Sequence, residues 1–270
     1  MIHCRIFVVK IGKMQTDFHG TPIFYDHDVR GTKTLVLLHG FLEDRSIWSN
    51  LYDSFSPNLS LLAIDLPGHG ESGLREEVLG MTDMAEVVFH VMTVTQTTSA
   101  YVMGHSMGGY VALAFAEKFP QACEGLILLN SSCEADSPER IVNRKRALQV
   151  IKKNKDSFIS MAITNLFSPS ARKSFESEIK KLIKKAQAME VKSIEASIRG
   201  MIERKDRTQF LRQWKRPKYL ICGAEDPIIP FSASKNMALL TKTPLIRLDG
   251  SHMGWLENPS ELKKHLRFIE

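Results

Sequence analysis

Gly104-His105-Ser106-Met107-Gly108 is the stretch that decides how this chain folds. It follows the apolar run Ala100 to Met103 and opens a stretch in which Tyr110, Leu113 and Phe115 recur at helical spacing. Glycines two residues either side of a serine let a strand turn sharply into a helix with the serine strained at the apex. Any side chain at those two places would collide with the facing backbone. The residues therefore predict strand, elbow and helix, with Ser106 presented as a nucleophile.

Working outward, Thr34 to Leu38, Leu61 to Ile64, Tyr101 to Met103 and Leu126 to Leu129 read as buried strands. Arg45 to Ser54, Thr82 to Val94 and Ser106 to Lys118 read as helices between them. Such alternation belongs to an α/β fold, a mostly parallel sheet with helices on both faces. Ile6 to Val9 and Ile23 to Tyr25 are expected to add antiparallel strands. From Ser137 to Trp214 the pattern turns to helical periodicity rich in Lys, Glu, Ala and Ile, with no convincing strand. Strand character returns at Tyr219 to Cys222 and Leu245 to Leu248. The expected organisation is a core of residues 1–132 and 211–270 carrying a helical cap over 133–210. The sequence has no internal repeat and no glycine-rich phosphate loop, so nucleotide binding finds no support.

With 43% hydrophobic and 24% charged residues over 270 positions, the chain has the make-up of an ordinary soluble globule. No apolar run approaches the roughly 20 residues that span a bilayer, and Met1 to Lys13 lacks a signal-peptide pattern. A cytoplasmic location is the expectation. Cys4, Cys123, Cys133 and Cys222 are too scattered for a zinc site or disulfide framework and read as reduced, buried thiols. The formal charge of +6 is uneven: 133–210 holds 18 Lys/Arg against 10 Asp/Glu, or +8, leaving −2 elsewhere.

A serine hydroxyl needs a base within reach to become a nucleophile. After an elbow of this kind the acid and then the histidine follow in chain order, which leaves His252 and His265 of the nine histidines. His265 lies in a basic terminal helix and reads as solvated. His252, in Gly250-Ser251-His252, sits just beyond a strand, at the carboxyl edge where ligands bind in open α/β sheets. His105 is adjacent to Ser106, but neighbours on an elbow point apart. The acid must accept from the second ring nitrogen, and Asp226 in Gly223-Ala224-Glu225-Asp226-Pro227 directly follows the preceding strand. Asp136, placed one strand earlier, is the main competitor; Asp156, Asp206 and Glu225 are weaker ones.

Acyl transfer also needs donors aimed at the developing oxyanion. The backbone N–H groups of Met107, right after the nucleophile, and Phe41, right after Leu38-His39-Gly40, are the candidates. His39 and the turn Asp65-Leu66-Pro67-Gly68-His69-Gly70-Glu71-Ser72 read as structural.

The ordered set His39-Gly40-Phe41, Asp65 to Ser72, Gly104 to Gly109, Gly223 to Pro227 and Gly250-Ser251-His252 resembles the capped α/β-hydrolase family over nearly the whole core. The resemblance implies a helical lid between the sixth and seventh strands, a buried acyl pocket, and neither metal nor organic cofactor. It begins after Met1 to Lys13, and a start at Met14 would suit it equally. Serine at the elbow departs from haloalkane dehalogenases and epoxide hydrolases, which place Asp there. Tyr110 stands where the related menaquinone-pathway synthase has arginine, and Gly109 is present where ligand receptors of this fold usually lack the second glycine.

The expected activity is hydrolysis of a small acyl ester through an acyl-enzyme. The alternatives are C–C bond hydrolysis, cleavage of carrier-protein-bound acyl esters, and non-catalytic sensing. Phe158, Met161 and Phe167 in the cap are the candidate substrate-binding residues. Lys180, Lys181, Lys184 and Lys185 suit an acidic carrier protein, as in the family's pimeloyl-carrier methyl esterase, or simply form the wet side of an amphipathic helix. Few aromatics accompany them, so nucleic acid is not expected.

Overall fold

A computed structural model describes residues 13–52 and 58–269. Its apolar runs pair into one eight-stranded sheet of order β1-β2-β4-β3-β5-β6-β7-β8. The strands are β1 (Lys13–Phe18), β2 (Thr21–Asp28), β3 (Lys33–Leu38), β4 (Leu59–Ile64), β5 (Ala100–His105), β6 (Cys123–Leu129), β7 (Lys218–Gly223) and β8 (Leu245–Leu248). β1 and β2 run antiparallel at one edge, and all pairings from β4 to β8 are parallel. β4 is buried along its whole length and β3 along all but Lys33, as expected of strands covered on both faces.

The expected strand at Ile6 to Val9 lies outside the described residues, as does Cys4. The strand β1 that is present has the sequence KMQTDF, whose apolar content is too low to stand out. It is held by a two-residue turn in which His19 and Gly20 both take positive φ, 52° and 83°. That geometry matches the twist of a hairpin.

Twelve helices are seen among the described residues: α1 (Ser49–Tyr52), α2 (Met81–Val94), α3 (Met107–Lys118), α4 (Pro138–Lys153), α5 (Lys155–Thr164), α6 (Pro169–Ser174), α7 (Glu176–Gln187), α8 (Val191–Ile202), α9 (Thr208–Gln213), α10 (Phe231–Thr241), α11 (Gly254–Glu257) and α12 (Pro259–Leu266). The helix expected from Arg45 opens as a 3-10 turn, Arg45–Trp48, capped by the Asp44 side chain, before α1 begins. α2 and α3 pack on each other and on the sheet; α10 contacts β7 and β8, and α12 contacts β8. Six helices, α4 to α9, lie between β6 and β7, with no strand among them.

The chain order positions the site. From β3 the chain passes to β4 on one side, then crosses back so that β5 and all later strands add on the other. The loops leaving β3 and β5 therefore diverge and open a crevice at the carboxyl edge, the usual place for a ligand.

Candidate active site at the carboxyl edge of the sheet

Ser106 sits at the junction of β5 and α3 with φ 50° and ψ −114°, a conformation a non-glycine residue adopts only when its surroundings impose it. The imposition is steric. A Cβ on Gly104 would lie 2.2 Å from the Gly108 backbone, and one on Gly108 would lie 2.3 Å from the Leu38 carbonyl oxygen. The Ser106 N–H donates to the Leu129 carbonyl at 3.0 Å, and the Ser131 hydroxyl donates to the Ser106 carbonyl at 2.7 Å.

Asp226 follows β7 and accepts four hydrogen bonds. Oδ1 takes the backbone N–H groups of Ile228 and Ile229 at 2.8 and 2.9 Å; Oδ2 takes Asn130 Nδ2 at 2.9 Å and His252 Nδ1 at 2.8 Å. Burial works against its charge, but the His252 ring and these donors hold its carboxyl below the usual range. An ionised carboxylate only accepts, so His252 Nδ1 bears the proton and a neutral ring keeps the lone pair on Nε2. That Nε2 is buried with no hydrogen-bond partner among the described residues. Its loop is anchored twice: the His252 N–H donates to the Leu166 carbonyl, and Asn130 Nδ2 also donates to the Ser251 carbonyl.

A cavity of about 390 Å³ collects Phe41, Glu43, His105, Ser106, Tyr110 and His252 from the core, with Arg140, Arg144, Ala162 and Leu166 from the segment between β6 and β7. Ser106, Asp226 and His252 are thus brought to one place from three strand ends, while His265 is on α12 beside Glu261. Asp136 is engaged elsewhere, by Arg144 and Arg204. Met107 is the first residue of α3, where a backbone N–H has no preceding helical carbonyl to meet.

The family model for the alpha/beta hydrolase fold matches residues 33–259, a span that includes all three of these residues. The chain belongs to the α/β-hydrolase fold family. A thermophilic esterase from Thermogutta terrifontis superposes with a TM-score of 0.86 at 27% identity, covering 95% of this chain and 97% of that one. The pimeloyl-[acyl-carrier protein] methyl ester esterase of Yersinia enterocolitica is 35% identical over 102 residues, 38% of each chain. A dihydrolipoyllysine-residue acetyltransferase component of the acetoin cleaving system from Cupriavidus necator is 34% identical over 114 residues, 42% of this chain and 30% of that one. The chain thus spans less than half the length of these two curated relatives.

In this α/β-hydrolase the expected cap residues do not gather at the cavity. Phe158 and Phe167 are buried, 7% and 0% exposed, and Met161 is 55% exposed; the cavity wall is instead formed by Ala162 and Leu166. Periodicity marks a residue as apolar but does not tell a face turned to the cavity from one turned to neighbouring helices.

The sequence reading also missed the partner of His105. His105 is buried, with Nε2 at 2.9 Å from the His252 carbonyl and Nδ1 at 2.8 Å from Glu43 Oε2. The same Glu43 oxygen accepts the Gly40 N–H at 2.5 Å. A carbonyl can only accept, so Nε2 must donate; against an ionised Glu43, Nδ1 must donate too, which makes the ring cationic. Burial opposes both charges, yet the pairing raises the His105 pKa and lowers that of Glu43. The turn on the far side of Gly40 is tied by His39, whose Nε2 accepts the Leu66 N–H at 3.0 Å, and by the buried pair of Arg45 with Asp65.

Proposed function

We propose that this hydrolase cleaves carboxylic esters through an acyl-enzyme, with Ser106 as nucleophile, His252 as general base and then general acid, and Asp226 as the residue that orients the ring. The observation that carries the reading is the His252 ring: one nitrogen is bound by a fully satisfied carboxylate and the other is buried, without a partner among the described residues, beside a cavity that Ser106 also lines. Nε2 takes the serine proton as the hydroxyl attacks the ester carbonyl, and returns it to the departing alkoxide. The Phe41 and Met107 N–H groups receive the oxyanion, a contribution of about 3 kcal/mol for each such donor in other acyl-transfer sites. Water then attacks the acyl-serine, activated by the same nitrogen. Residues 133–210, which hold α4 to α8 and the start of α9, form the cap over the cavity.

Ester chemistry rather than C–C bond cleavage is favoured by the esterase likeness over nearly the whole chain. A carrier-bound ester is the second reading. It rests on the carrier-protein esterase among the relatives and on Lys180, Lys181 and Lys184, exposed on α7; Lys185 is turned toward Asp44 and Ser46.

The test is a panel of p-nitrophenyl esters assayed with wild type and Ser106→Ala. Turnover by wild type and a kcat loss on the order of 10³ to 10⁶ in the variant are expected. A substrate-independent absence of turnover in the wild type, with a ring-cleavage dienoate hydrolysed instead, would transfer the site to the C–C bond class.

A further inference from the structure

The face of α4 turned to the Ser106 cavity consists of Arg140, Asn143, Arg144 and Ala147. These positions are i, i+3, i+4 and i+7, one stripe of a helix. A stripe that only closed an apolar chamber would be apolar. This one places two guanidinium groups and a carboxamide in the wall of the cavity.

The charge there is not balanced from within. Asp136, fully buried at its side chain, is shared between Arg144 Nε and Arg204 Nη1 at 2.5 and 2.7 Å. Arg204 lies on the Tyr110 ring, 4.2 Å from its centroid, and Tyr110 is itself a cavity residue. Arg140 donates to the neutral Ile228 carbonyl at 2.5 Å and has no carboxylate among its partners in the described residues. Arg144 thus shares its carboxylate with a second guanidinium, and Arg140 is paired with none among the described residues. Asp136 lies outside the cavity wall, and the carboxylate that lines it, Glu43, is already paired with His105. Arg144 meets Asp136 through Nε alone, which leaves its two terminal nitrogens to form the planar fork that matches a carboxylate.

We infer that the cavity takes esters bearing a free carboxylate, with Arg140 and Arg144 as the carboxylate subsite and Asn143 beside them. The inference rests on the proposed ester hydrolysis at Ser106 and names its substrate class. The cavity is at the small end of ligand-site volumes, which suits a short dicarboxylic monoester.

The test compares mono-p-nitrophenyl glutarate with p-nitrophenyl valerate, esters of equal chain length that differ in the terminal carboxylate. The wild type should favour the glutarate by at least tenfold in kcat/KM. In Arg140→Gln/Arg144→Gln the ratio should collapse to near one, chiefly through KM, and Arg140→Lys/Arg144→Lys should keep part of it. Raising salt should erode the preference in the wild type, since a partly exposed charge contact is screened. An independent readout is calorimetric titration of free glutarate into Ser106→Ala, with binding lost when both arginines become Gln; the Lys pair guards against loss of fold. A ratio near one in the wild type, or glutarate binding indifferent to the arginines, overturns the inference. Loss of Ser106-dependent hydrolysis of both esters together with retained glutarate binding would instead sink the proposed function and leave the subsite standing.

Discussion

Glu43 and His105, 62 residues apart, form a buried pair that joins the loop after β3 to the elbow after β5, with Glu43 Oε2 and His105 Nδ1 2.8 Å apart. The pair also touches both neighbours of the chemistry, accepting from Gly40 N–H and donating to the His252 carbonyl. It thereby ties together the backbone segments that carry Phe41, Ser106 and His252.

Its effect on stability has a defined pH dependence. The raised His105 pKa contributes stability that is complete below the ordinary histidine value of 6.5 and fades as pH rises through the folded value. The lowered Glu43 pKa contributes stability that is complete above its ordinary 4.5 and fades as pH falls through the folded value. Replacing Glu43 by Gln should therefore lower Tm most between about pH 4.5 and 6.5 and progressively less on either side. Thermal unfolding of both proteins across pH 4 to 9 checks this; a Tm gap that widens steadily above pH 7 would contradict the ion pair.

Asp226→Asn should reduce kcat by roughly 10³ to 10⁴ with little change in KM, because the ring loses the acceptor that fixes its tautomer. Asp136→Asn should act differently. It leaves Arg144 and Arg204 without their carboxylate, so Tm should fall while the kcat for a neutral ester stays within a few-fold of wild type. Steady-state kinetics on the two variants decide between them, and a larger kcat loss in Asp136→Asn would move the acid to the strand before.

Phe167, fully buried against Phe175, should behave as a packing residue. Truncation to Ala should cost about 3 to 5 kcal/mol, the usual range for a buried phenylalanine. Acyl-chain preference should shift instead with Leu166→Ala, since Leu166 lines the cavity. A chain-length series on both variants, with Tm measured alongside, separates the two roles.

The parts of the site legible in the sequence are those fixed by local punctuation. Ser106 lies between glycines, and Asp226 and His252 each follow a short apolar run, so the end of a strand can be read without knowing its neighbours. Glu43 and Asn130 were not legible in this way. Each meets its partner, His105 and Asp226, across 62 and 96 residues, and only the strand order brings them together. Arg140 and Arg144 were visible as part of a basic segment, but charge counting did not show that they share a helix face turned to the cavity. β1 was missed for the opposite reason: it is held by backbone pairing at a wet edge, where side-chain hydrophobicity carries little information.

The most direct measurement is covalent labelling with a fluorophosphonate ester, followed by peptide mass spectrometry. A phosphonate is attacked by an activated serine and traps a tetrahedral adduct in place of the acyl-enzyme. One label per chain on Ser106 is predicted, with labelling abolished in Ser106→Ala and slowed by orders of magnitude in His252→Ala. Stoichiometric labelling at a different residue, or ester turnover that persists in wild type with Ser106 unmodified, would contradict Ser106 as the nucleophile.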